Sequence, residues 1–215
     1  MKKLLVIQIV LIITFSSSFG YLFFATDTYE HVQSTIVSVL CLSCIKLEPK
    51  TVLSFSFETA NNEPFPDFVL ENLSKGVVLL HYRTDACAAC DQMDPMVASL
   101  FNLTSLEENY LVVTSRFNGV NVTLIHINLD HVNENLKRSY KVYNILGDNG
   151  GVPMFSLITF GYDRGTVKPA YATGYGFLGE KTPMQGKEVL KQLIEEGVDM
   201  YIQNHQGYIP SHNTE

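Results

Sequence analysis

The sequence has no tryptophan and only four cysteines in its 215 residues. A disulfide-dense scaffold needs more cysteines in a shorter chain, so the spacing of these four matters more than their number. After Lys2 and Lys3 there is no cluster of lysine or arginine, and the formal net charge is −7. No phosphate-tracking surface is on offer, which removes nucleic acid from the partners considered. Charged residues are scarce, 17% against 46% apolar, so disorder does not describe the chain. No internal repeat or low-complexity stretch is present. The length suits one domain plus appendages and is enough to bury a single core unaided.

The N-terminus reads as an export or anchoring signal. Met1-Lys2-Lys3 supplies positive charge, and residues 4–15 are almost wholly apolar. Ser16-Ser17-Ser18 interrupts the run before residues 19–25 resume it. The first stretch has the length of a secretory h-region (about 7–15 residues), and the whole has that of a spanning helix (about 17–25). The lack of a convincing small-x-small cleavage site favours an uncleaved signal-anchor over residues 1–25, with a cleaved signal peptide and secretion as the alternative. Either way the charge asymmetry places the rest of the chain outside the cytoplasm. Residues 26–50 form a juxtamembrane segment, in which residues 36–47 are apolar but too short to span.

The domain expected over residues 51–204 alternates strands and helices. Residues 51–57 alternate and are β-branched or aromatic, which predicts a strand. Helical spacing follows within residues 66–74, then a continuous apolar run over 77–82 predicts a strand buried on both faces. A helical pattern runs through Met93, Met96, Val97 and Leu100. Residues 122–129 predict the next buried strand, and Val132, Leu136, Tyr140 and Tyr143 a helix. Strands over 154–160 and 166–172 flank a hairpin region at 161–165. A final helix starts near Thr182-Pro183 with a stripe of Leu190, Leu193, Ile194, Val198 and Tyr201. The predicted order β-α-β-α-β-α-β-β-α makes an α/β domain with a mixed sheet. Residues 205–215 are left as a tail.

The four cysteines fall into two Cys-x-x-Cys pairs, Cys41/Cys44 and Cys87/Cys90. Such spacing points to metal binding or redox exchange. Exchange needs an attacking thiolate and a second thiol close enough to resolve the mixed disulfide. A helix N-terminus favours the thiolate, because its unpaired N–H groups and dipole stabilise an anion. Cys87-Ala88-Ala89-Cys90 sits where a buried strand hands over to a helix, the context that chemistry requires.

With Pro95 five residues after the second cysteine, and Gly151-Val152-Pro153 ahead of a strand, the stretch from 51 to 204 resembles the thioredoxin family. The resemblance implies a three-layer α/β/α fold around a central mixed β-sheet, here preceded by an N-terminal apolar helix. It implies Cys87 as nucleophile, Cys90 as resolving thiol, and Val152-Pro153 as a cis-proline loop that pairs with substrate backbone beside Ala88 and Ala89. Departures are Ala86 where the family commonly has tryptophan, and Ala-Ala for the familiar Gly-Pro. His81 stands six residues before the first cysteine, where thioredoxins proper carry a buried acid. A neutral His81 there is a candidate acceptor for the Cys90 proton, or else a core histidine. Asp85 and Asp91 flank the pair, and negative charge there opposes the helix dipole.

Cys41-Leu42-Ser43-Cys44 has three readings: a second redox pair exchanging electrons with Cys87/Cys90 or a membrane partner, a structural disulfide closing a tiny loop, or one zinc site with the other pair. The six histidines show no metal-ligand spacing, and His126, inside a strand, reads as a core residue. Asn72-Leu-Ser, Asn102-Leu-Thr and Asn121-Val-Thr match a glycosylation sequon that is frequent by chance. The reading that follows is an extracytoplasmic thiol–disulfide oxidoreductase acting on cysteines of exported proteins, without metal or cofactor. Its rival is a non-catalytic thioredoxin-like module that holds a partner protein or a metal through its cysteines.

Overall fold

The structure is a computed structural model and describes residues 53–208. Its centre is strand β1 (Val77–Arg83), whose first six residues are buried. A helix α1 (Asp67–Leu73) precedes it, and α2 (Ala88–Leu100) follows. Next come β2 (Tyr110–Phe117), β3 (Val120–Asn128) and α3 (Glu134–Tyr143). The chain ends in β4 (Met154–Asp163), β5 (Thr166–Tyr175) and α4 (Pro183–Asn204). The five strands lie in the order β2-β3-β1-β4-β5. β1 runs parallel to β3 and antiparallel to β4, so the sheet is mixed.

Both edges are hairpins with two-residue turns, Asn118-Gly119 and Arg164-Gly165. All four turn residues have positive φ (48°, 85°, 46° and 84°). That is the type I′ condition, which matches the right-handed strand twist.

Side-chain alternation along β1 covers both faces of the sheet. Tyr82 points to one face, where its hydroxyl lies 2.9 Å from Ser139 of α3. Phe65, just before α1, packs on this side against Tyr143 and Tyr171. His81 and Arg83 point to the other face and meet Asp94 of α2. α4 covers the same side, with Thr159 donating to the Gly197 carbonyl at 2.6 Å. A Cβ on Gly197 would stand 2.4 Å from a Leu157 methyl, so a larger residue here would force the Leu157 side chain to shift. α4 buries Val189, Leu190, Leu193, Ile194 and Val198. Each such side chain contributes about 1.5–3 kcal/mol, which ties the C-terminal helix to the sheet.

Two sequence expectations need correction. The strand predicted over residues 51–57 is not a sheet strand. Within its described part only Ser56 pairs, in an isolated bridge to Tyr171 of β5. The Ser56 hydroxyl bonds both the carbonyl and the N–H of Glu58, turning the chain away, and Pro169 of β5 has no N–H to extend the ladder. Conversely, β2 was not anticipated, and it supplies the edge beside β3. The order is therefore α-β-α-β-β-α-β-β-α. The expected signal-anchor, the juxtamembrane segment with Cys41 and Cys44, and residues 209–215 lie outside the described residues. Among the described residues no helix is long and apolar enough to cross a membrane.

Candidate active site

β1 ends at Arg83, and four residues later Cys87 caps α2, its Sγ accepting the Cys90 N–H at 3.1 Å. Cys87 and Cys90 are joined in a disulfide with their Cα atoms 5.2 Å apart. Cys87 is 7% exposed and Cys90 0%, so Cys87 is the less enclosed of two buried cysteines. Ala88 is exposed and Ala89 half-buried, adding little bulk beside the bond. The helix runs unbroken through Pro95, whose missing N–H leaves the helix one donor short.

The Val152–Pro153 peptide is cis. Met154 of β4 pairs with Tyr82 near the end of β1, which places Val152 and Pro153 at the sheet end that carries Cys87. Pro153 is buried and Val152 half-buried. The loop after β3 reaches the same end, because Asn128 pairs with Arg83.

Two polar groups flank the disulfide. On the exposed side, Asp85 accepts from Asn128 Nδ2 at 2.8 Å and lies 2.8 Å from His131 Nε2. The Asp85 N–H in turn donates to Asp130 at 2.7 Å. The bonds from Asn128 and His131 hold the Asp85 carboxyl below the usual range. Asp91 pairs with Arg83 at 3.1 Å. The two carboxylates that sequence set against the helix dipole are thus each engaged by a partner.

The buried side carries a chain of four residues that sequence reasoning did not assemble. Asp94 on α2 pairs with Arg83 through Oδ2, and its Oδ1 lies 3.5 Å from His81 Nε2. His81 Nδ1 lies 3.0 Å from Nδ1 of His126, its neighbour across the parallel pairing of β1 and β3. His81 is fully buried, with its ring stacked on Phe155. Burial, then the neighbouring His126 and Arg83, pushes its pKa well below the ordinary value. Burial and Arg83 lower His126 to about 4. Both rings are therefore neutral at neutral pH, and the contact of His81 with Asp94 is no ion pair. Burial raises Asp94 to about 6 despite the opposing Arg83.

Asp94 and Cys90 stand four residues apart on one helix and so share a face, with Cβ atoms about 5–6 Å apart. The signal was in the sequence: Cys90, Met93, Asp94 and Val97 follow i, i+3, i+4, i+7 spacing, and all four are buried. His81, the candidate acceptor for the Cys90 proton, is brought to Asp94. Among the described residues no group of histidine, cysteine or carboxylate side chains is arranged to hold a metal. An open cleft of about 510 Å³ between Phe68, Tyr110 and Leu136 contains neither Cys87 nor Cys90.

No protein-family model matches the chain, and no curated protein matches it. Among solved structures, a mutant thioredoxin from Halobacterium salinarum NRC-1 aligns with a TM-score of 0.32 and 21% identity. The alignment covers 60% of this chain and 82% of that one. The mixed five-stranded sheet, with a close cysteine pair at the β1–α2 junction, fits a thioredoxin-like fold.

Proposed function

We propose that the chain is an extracytoplasmic thiol–disulfide oxidoreductase acting on cysteines of exported proteins. The observation that carries this reading is the asymmetry of the pair: Cys87 at the helix N-cap and the less buried of the two, Cys90 fully enclosed. In the reduced protein the Cys87 thiolate, favoured by the N–H groups of α2, attacks a substrate disulfide. A Cys87–substrate bond forms, and the first substrate sulfur leaves as a thiolate. Cys90 then loses its proton, and its electron pair attacks Cys87 Sγ. The Cys87–Cys90 bond closes and the second substrate thiolate departs, so two electrons have passed to the substrate. Run backwards, the same steps oxidise a substrate dithiol. Val152 and Pro153, at the same end of the sheet as Cys87, hold the substrate backbone alongside Ala88 and Ala89. Cys41 and Cys44 act as a second redox pair that passes electrons to or from this site, and the N-terminal segment tethers the domain to the membrane.

Cys90→Ser tests the reading. It leaves the attacking thiol and removes the resolving one, so mixed disulfides accumulate on Cys87 and are seen by non-reducing electrophoresis. Wild-type protein shows few, and Cys87→Ser shows none. If Cys90→Ser traps nothing from a reduced or oxidised extract, the chain is a binding module that holds a partner and turns nothing over. Labelling by a membrane-impermeant maleimide in intact cells tests the location; labelling only after lysis would overturn it.

A further inference from the structure

Three Asn-x-Ser/Thr sequences, at Asn72, Asn102 and Asn121, meet different surroundings in the fold. Asn72 lies in the last turn of α1, half-buried, with its Nδ2 donating to the Phe68 carbonyl at 2.7 Å. Asn121 lies inside β3, paired with Arg116 of β2, and is also half-buried. The hydroxyl two residues on, that of Thr123, is buried and lies 3.0 Å from the Thr114 hydroxyl. A bulky group on either asparagine would need room that packed neighbours occupy.

Asn102 stands apart. It follows Phe101, the C-cap of α2, in a left-handed turn with φ of 57°. The Leu103 N–H reaches back to the Ala98 carbonyl at 2.9 Å, which closes the helix in a Schellman turn. Asn102 and Thr104 are both exposed. Among the described residues no hydrogen bond holds the Asn102 amide or the Thr104 hydroxyl. The left-handed turn accounts for glycine or asparagine at residue 102, glycine being the easier fit, and makes no demand on residue 104. Asparagine with threonine two residues on is what an N-linked acceptor requires. The 13 residues of α2, at about 1.5 Å each, set this turn about 20 Å from the cysteines at the other end of the helix.

We propose that Asn102 is the acceptor of an N-linked glycan, selected from the three candidates by its exposed helix-end turn. The inference rests on the reading that puts the domain outside the cytoplasm, where a transferase meets a lipid phosphate-linked oligosaccharide. Asn102 Nδ2 bonds to C1 of the first sugar while that carbon's bond to the donor's phosphate oxygen breaks. The lipid phosphate leaves with the bonding electrons, and one amide proton passes to a base of the transferase. The step is a substitution and changes no oxidation state. Attachment breaks no hydrogen bond of the fold, because the amide had none to give up. The product is a bulky, solubilising surface group at the end of α2 that is far from the disulfide.

Trypsin separates the three sites: Asn72 falls in the peptide 51–75, Asn102 in 84–116 and Asn121 in 117–137. Mass spectrometry of the full chain, purified from the cells that make it, should find an added sugar mass on 84–116 and leave the other two peptides bare. Asn102→Gly, which keeps the left-handed turn, should lose that mass completely, and so should Thr104→Ala. Thr104→Ser should keep it, since the hydroxyl remains. If 84–116 is bare while a membrane-impermeant maleimide labels intact cells, the inference is wrong and the location stands. A sugar on 51–75 or 117–137 in place of 84–116 would equally overturn it, because exposure would not be what selects the site. If the maleimide labels only after lysis and 84–116 is bare, the location fails and takes the inference with it.

Discussion

Asp85, two residues before Cys87, and Asp94, four after Cys90, carry the same functional group on opposite sides of one disulfide, and their surroundings drive them apart. Asp85 is exposed, bonded by Asn128 and His131, and is held below the usual carboxylate range. Asp94 is enclosed between α2 and the sheet, and burial raises it to about 6 even with Arg83 against it. Hydrogen bonds to the charged form prevail where water also reaches the group, and desolvation prevails where it does not. The exposed group shapes the loop that leads into the cysteines. Only the buried one shares a helix face with Cys90.

Removing Arg83 attacks the buried side and should have the largest effect. Arg83→Ala leaves a buried carboxylate without its counter-charge, which costs about 3 kcal/mol at pH 8. At pH 5 Asp94 is already largely protonated, so the loss should be much smaller. Urea unfolding of the disulfide-bonded protein at both values measures the difference. Equal losses at pH 5 and pH 8 would mean that Arg83 acts through packing, and the contrast with Asp85 would lose its electrostatic basis.

The next effect is on the pH profile of stability. Asp94 is raised from 3.8 to about 6, so the folded state binds the extra proton and stability is lost as pH rises between those values. His126 is lowered from 6.5 to about 4, so its contribution is present above 6.5 and lost as pH falls towards 4. These two slopes nearly cancel. His81, also lowered, works in the same sense as His126 and leaves the wild-type protein gaining stability with pH across this window. His126→Phe, which keeps an aromatic ring, should flatten that rise by about 2 kcal/mol between pH 4.5 and 7. Urea midpoints followed by circular dichroism read it directly. A slope as steep as the wild type would show that His126 is not held neutral.

How much of this was legible in the sequence depends on whether a feature is local. The run at 77–82 announced a strand buried on both faces, and the placing of Cys87 at its junction with a helix was equally plain. The edge strand β2 was not found: Tyr110 and Val112 are exposed, so it shows no buried run. Its best local signal was the Asn118-Gly119 turn, whose positive φ angles only a tight hairpin needs. The strand expected over 51–57 failed for a reason no periodicity shows, the Ser56 side chain closing on Glu58 and a proline on the facing strand. Asp94 was not singled out, although it shares the helical spacing of Cys90, Met93 and Val97. Its burial depends on Arg83, His81 and His126, brought from two other strands by the parallel pairing.

The smallest expected effect belongs to the exposed side and bears on the comparison most closely. Asp85→Asn removes one negative charge from the approach to Cys87 while keeping a side chain that Asn128 and His131 can still bond. An exposed charge is screened by water and salt, so little stability should change. The stability that Asp85 does contribute is present above about 3.8 and lost as pH falls through its lower folded value, so any difference should be confined to acid. The charge should be felt instead by the reduced Cys87, whose thiolate no longer has a like charge two residues away. Alkylation by iodoacetamide at pH 7 and low salt should quicken by about twofold, and the gain should fade in 1 M salt as the screening length shrinks to about 3 Å. A rate unmoved at low salt would mean that His131 and Asn128 already neutralise Asp85 as seen from the sulfur. A gain that persists in high salt would mean that the loop itself had moved, and that Asp85 matters for the position of Cys87 rather than for its charge.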